Sequence, residues 1–144
     1  MRSFLRFNQG MLRMPMHLQL WVVVLVGANI VAPLFFLEHL EAQLTLAAGL
    51  LGLVLMSVLT GRFGFSRIVG LGHIAWLPLI VFLISSVGDT TASSPLGFWT
   101  RSVIVLDSIS LAFDFVDAAR FYRGDRTETV AGLEPALDLP GAQE

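Results

Sequence analysis

The sequence has no cysteine and no lysine, a single tyrosine, and charged side chains at only 14% of its 144 positions. Without cysteine there can be no disulfide, no thiolate nucleophile and no cysteine-ligated metal. Soluble domains carry about 25% charged residues. A composition that is 55% hydrophobic, with a mean hydropathy of +0.75, therefore points to lipid as the surrounding medium. The net charge of −2 creates no basic field, and nucleic acid is not an expected partner. The length allows one compact unit.

What is abundant is long uncharged runs. Residues 18–37 contain no formal charge, matching the roughly 20 residues needed to cross a hydrocarbon core. The run is too long for a signal-peptide core and no small-x-small cleavage site follows it cleanly, so a retained helix is expected, bent at Pro33. The acidic turn Glu38-His39-Leu40-Glu41 closes it. A second uncharged helix is expected over 42–60, where Ala47, Ala48, Gly49 and Gly52 offer a small-residue packing surface. A basic turn over 61–67 leads to a third helix, 68–87, and a polar loop over 88–97 to a fourth, 98–121. This last helix carries Arg101, Asp107, Asp114 and Asp117, but aromatic residues stand at both its ends.

Before the first span, residues 1–15 read as a short arm. Arg2, Arg6 and Arg13 gather on one helical face, with Phe4, Phe7, Met11 and Met14 opposite. That pattern suits a helix lying among lipid headgroups, or else a flexible basic leader that sets topology. Residues 123–144 hold five acidic residues with little periodicity and are expected to be a disordered acidic tail. The expected architecture is all-α: a four-transmembrane-helix antiparallel bundle over 16–122, with an amphipathic N-terminal arm.

Four crossings bring Arg2, Arg6, Arg13, Arg62, Arg67, Arg120, Arg123 and Arg126 to one side, eight of the nine basic residues. Basic flanks are retained in the cytoplasm, so both termini are expected there, in a bacterial inner membrane. These arginines suit anionic lipid headgroups or serve as plain topology signals.

Charged groups inside a membrane are costly and face the protein interior. On the fourth helix, Thr100, Asp107, Ser110, Asp114 and Asp117 form one polar stripe about 100° wide. Counting residues inward from the cytoplasmic boundary matches Asn29 with Asp107 and His73 with Asp114, and places Asp117 within reach of Arg62 or Arg67. Such a seam either staples the fourth helix to the first and third or relays protons through the aspartates and His73. A haem between histidines is a further option, since Gly70 and Gly72 beside His73 leave room for a porphyrin. Zinc is not expected, because the three histidines do not converge. Ser85-Ser86 and Ser93-Ser94 lack a matching His and Asp, and Gly61-x-x-Gly64 is no complete phosphate loop, so enzymatic activity is not expected.

The stretches GLGHIAWLPL (70–79) and SISLAFDFVDAARFYRGDR (108–126) are similar to those of a group of small uncharacterised bacterial inner-membrane proteins with four helices. The resemblance covers the C-terminal half and implies a multi-span membrane protein without supplying an activity. Small multidrug exporters fit less well: they require a glutamate within the first helix, and Glu38 stands at its end. Three functional classes follow. The first is an accessory, scaffold or assembly protein acting through lipid or helix contacts, including a homo-oligomer. The second is a small oligomeric proton-linked transporter or channel using Asp107 and Asp114. The third is a haem- or quinone-binding anchor subunit.

Overall fold

The computed structural model describes residues 2–125, and among these there are five α-helices and no strand. Residues 126–144 of the expected acidic tail, Arg126 among them, lie outside the described residues, as does the side chain of Arg2. The helices are α1 (Arg2–Arg13), α2 (Met16–Val26), α3 (Leu40–Phe63), α4 (Trp76–Ser86) and α5 (Pro95–Tyr122). Three continuous helical stretches are long and apolar enough to cross a membrane: Met16–Phe35, Leu40–Phe63 and Arg67–Asp89. At 28 residues α5 is about 42 Å long, but it is not among them.

Neither the first nor the third stretch is plain α-helix. After α2 the backbone widens into a π turn, Gly27–Val31, and then tightens into a 3₁₀ turn, Ala32–Phe35. The cause is local. Pro33 has no N–H to donate, and the Ala32 N–H reaches back five residues to the Gly27 carbonyl. The third stretch opens as a 3₁₀ helix, Arg67–Ala75, and becomes α-helical only at Trp76. Pro78 then falls in the first turn of α4, where a missing N–H is tolerated. The 3₁₀ segment rises about 2 Å per residue, so it carries the chain farther than an α-helix of equal length.

The bend in the first stretch therefore begins six residues before Pro33, at Gly27. α5 also starts earlier than expected. Ser94 caps it, its hydroxyl accepting from the Gly97 N–H at 3.1 Å, and Pro95 occupies the first helical position.

The arm is a docked helix. Its Phe7 packs on Phe65, with ring centroids 6.0 Å apart, and both are buried. Gly10 lies flat against the Phe65 ring, so a side chain there would collide with it. Gly10 thus serves the close approach of the arm to the basic turn. Phe4, Leu5 and Leu12 stay exposed.

Two apolar clusters organise the interior. The larger joins Leu25, Ala42, Trp76, Leu79, Leu83, Trp99, Val103 and Leu111, drawn from all three apolar stretches and α5. The smaller joins Phe7, Phe65 and Val69 under α1. Close approach between α3 and the 3₁₀ segment depends on glycines. A Cβ on Gly72 would stand 2.9 Å from the Met56 backbone nitrogen and 3.2 Å from the Gly52 carbonyl. Gly72→Ala should therefore lower stability by about 1–3 kcal/mol. Gly88→Ala, which meets nothing within 4 Å, should stay within about 0.5 kcal/mol of wild type. Thermal unfolding in mild detergent distinguishes the two.

Candidate functional site: a polar seam beside an apolar cleft

The seam begins at the π turn. The wide turn places Asn29 inside the molecule, where its Nδ2 donates to Asp107 Oδ1 at 2.8 Å and to the Leu25 carbonyl at 3.2 Å. Asp107 is 0% exposed, and its Oδ2 is buried with no partner. The same turn frees the Ala28 carbonyl, because Ala32 donates to Gly27 and Pro33 has nothing to donate. Trp99 of α5 takes up that carbonyl, Nε1 donating at 2.9 Å. Its ring also stacks on Phe36, centroids 5.4 Å apart. A third link runs from Trp21 Nε1 to the Ser110 hydroxyl, at 3.4 Å. Each of the three joins the first stretch to α5.

The second group of links joins the 3₁₀ segment to α5. His73 Nδ1 lies 2.8 Å from Asp114 Oδ2, and the His73 ring stacks on Trp76, with centroids 4.0 Å apart and planes 22° from parallel. Gly70 faces the Asp114 carboxylate, which occupies the space a side chain would need. Arg67 Nη1 donates to Asp117 and its Nε to Asp125, both at 2.8 Å. Of the two arginines considered for Asp117, the structure selects Arg67, and Arg62 is exposed. Residues 67 and 73 are separated by about 12 Å of 3₁₀ rise, while Asp117 and Asp114 are about 4.5 Å apart along α5. The long arginine side chain takes up the difference.

Sequence reasoning missed several contacts. Asp125 follows the helix, within the stretch expected to be disordered, yet it holds Arg67. Arg101 donates to the carbonyls of Gly97, Val87 and Thr90 at 2.9, 2.9 and 3.1 Å, fastening the loop between α4 and α5. Its sequence signal was available: a lone arginine nearly two turns past a capping Ser-Pro, opposite carbonyls at the end of α4 that need donors. The glycines expected to leave room for a porphyrin do otherwise. Gly70 accommodates Asp114, and Gly72 accommodates Met56 and the α3 backbone. His17 is exposed, and His39 sits at the far end beside Glu38. No group of three or more His, Asp or Glu among the described residues is placed to hold a metal. Of the basic rim, Arg6 is half-buried, while Arg13, Arg62, Arg120 and Arg123 are exposed.

Beside the seam lies a cleft of about 340 Å³, bounded by α1, α2, α3, the 3₁₀ segment and α5. Its walls are mostly apolar, including Met11, Met14, Leu18, Val22, Leu53 and Met56. Asn29, Ser66, Arg67, His73, Trp76, Asp114 and Asp117 bring the seam to its lining. The volume falls within the range of small-molecule sites, about 300–1,000 Å³. No family model, curated protein or solved structure matches the chain.

The Asn29–Asp107 contact has a distinctive energetic signature. Asn29→Leu removes the side-chain donor to a buried carboxylate and should lower stability by about 1–3 kcal/mol. Asp107→Asn keeps an acceptor for Asn29 and removes the buried charge, so its unfolding temperature should equal or exceed that of wild type. Detergent thermal melts of the two variants check both signs.

Proposed function

We propose that this chain is an integral membrane protein with four crossings, α5 being the fourth, and both termini on the cytoplasmic face of a bacterial inner membrane. Its role is that of an accessory or assembly protein acting through its helix surfaces. The observation that carries the membrane reading is the inverted polarity of α5. Its buried positions include Thr100, Asp107 and Ser110, while Phe98, Val105, Phe113, Phe115 and Val116 are exposed. A helix facing water shows the opposite arrangement. Aromatic and β-branched residues outside, with carboxylates inside, suit acyl chains around the helix.

The charge distribution supports the orientation. With α5 crossing, Arg6, Arg13, Arg62, Arg67, Arg120 and Arg123 share one side and Arg101 stands alone on the other. The pairing of the acidic groups supports a structural role for the seam. Asp114, Asp117 and Asp125 each meet a cationic or protonatable partner on the 3₁₀ segment, and Asp107 meets Asn29. Breaking the Asn29–Asp107 or the His73–Asp114 pair strands a poorly solvated polar group, so these two pairs hold α5 in the bundle.

A proton-linked carrier is the second reading, favoured by the unpartnered Asp107 Oδ2. Two measurements test these readings. A fluorescent fusion after Asp125 should light in the cytoplasm, and a phosphatase active only in the periplasm should be active when inserted at Ala92. The reverse pattern overturns the orientation, and a fusion after Asp125 that reports from the periplasm removes the fourth crossing. On the accessory reading, proton flux into liposomes should be indistinguishable between wild type and Asp107→Asn. A flux that the substitution abolishes makes the carrier the better account.

A further inference from the structure

The cleft is elongated. Leu18, Val22, Val26 and Ile30 line it at every fourth residue of the first stretch, a run of about 18 Å. Leu18 and Val26 remain partly exposed, so the cleft is open along this edge. The Asn29–Asp107 and Trp21–Ser110 bonds set the first stretch antiparallel to α5. Asp117 then stands about 15 Å from Asp107 along α5, level with Leu18, about 16 Å from Asn29 along the first stretch. One end of the cleft is therefore acidic and the other apolar.

The charges at the acidic end do not cancel. Arg67 is shared by two carboxylates, Asp117 and Asp125, which leaves that group with one negative charge in excess. His73 against Asp114 adds at best a neutral pair. Arg13, Arg62, Arg120 and Arg123 are exposed and outside the lining. The excess is also accessible from the cleft. The Asp117 side chain is 40% exposed, and its Oδ2 accepts no hydrogen bond among the described residues. Asp114 Oδ1 likewise accepts none, on a side chain 19% exposed.

We infer that the cleft binds a lipophilic monocation, an ammonium head on a single hydrocarbon chain. The head sits against Asp117 and Asp114 at the Leu18 end, and the chain runs past Val22 and Val26 toward Ile30. An ammonium brings N–H donors, which both carboxylate oxygens can accept, and one positive charge, which offsets the excess. It breaks no pair, because Arg67 and His73 keep the oxygens they already hold. An anionic head would add like charge to the same carboxylates. Leu53 and Met56 of α3 and Met14 beside α1 give the chain an adaptable apolar wall. The inference goes beyond the accessory role proposed above and holds for either orientation in the membrane.

The test is calorimetric titration of the full chain in phosphatidylcholine nanodiscs, with protein-free nanodiscs as the blank. Three probes share one chain and differ in head charge: decylammonium, decanol and decyl sulfate. Decylammonium should bind saturably at one per chain and at least about tenfold more tightly than decanol, through its charged hydrogen bonds. Decyl sulfate should show no saturable heat. Asp117→Asn keeps an acceptor for Arg67 and should weaken decylammonium at least about tenfold without changing decanol. Val22→Phe, away from the ion pairs, fills the cleft and should weaken decylammonium as well. Decanol binding as tightly as decylammonium would show that the cleft merely holds a chain, and it overturns the inference. Saturable binding of decyl sulfate overturns it too. So does decylammonium binding that is undiminished by Asp117→Asn in a protein that melts as wild type, or by Val22→Phe should the Asp117 variant not fold.

Discussion

The arrangement depends on one constraint: a carboxylate without water, Asp107, must be given a donor. Burying a charge unpaired is among the costliest acts in a protein interior. Asn29 supplies the donor, and it reaches inward because the helix widens at Gly27–Val31. The widening follows from Pro33, and it frees the Ala28 carbonyl, which Trp99 then takes. Proline, bulge, asparagine and indole are thus one device, and it fixes the register of α5 against the first apolar stretch.

The rest of the packing follows the logic of a medium as apolar as the side chains. There, burying leucine yields little, and association relies on close contact and hydrogen bonds. Gly49, Gly52 and Gly72 bring backbones together, and the polar seam supplies the bonds. Many large apolar side chains remain on the outside. In water such a surface would aggregate; in the proposed bilayer it is the solvated face.

The apolar stretches were legible because each uncharged run is as long as a hydrocarbon core is thick, a length that ordinary buried helices seldom keep free of charge. Asn29–Asp107 and His73–Asp114 were legible too, since depth counted from a common boundary orders residues on antiparallel helices even when the exact rise is wrong. The π turn was not, because Pro33 announces a disturbance without saying where the backbone absorbs it. Nor was the docking of α1, where Gly10 reads locally as a helix breaker and only Phe65, some 55 residues on, reveals its use. The cleft was invisible for a related reason: its walls come from five separate segments, and no single periodicity records a void between them. Arg101 was overlooked because its partners are backbone carbonyls, which no side-chain pattern displays.

The staple and the cleft are compatible because the seam is broken into levels. Asp107 and Asp114 are seven residues apart, about 10 Å along α5. Each closes its own pair with a different element, Asn29 on the first stretch and His73 on the 3₁₀ segment. A relay needs groups that exchange protons with one another, whereas these are fastened locally. Local fastening also explains why a cleft persists between them: the pairs hold the π turn and the 3₁₀ segment against α5 at two heights. The space between is lined by methionine and leucine.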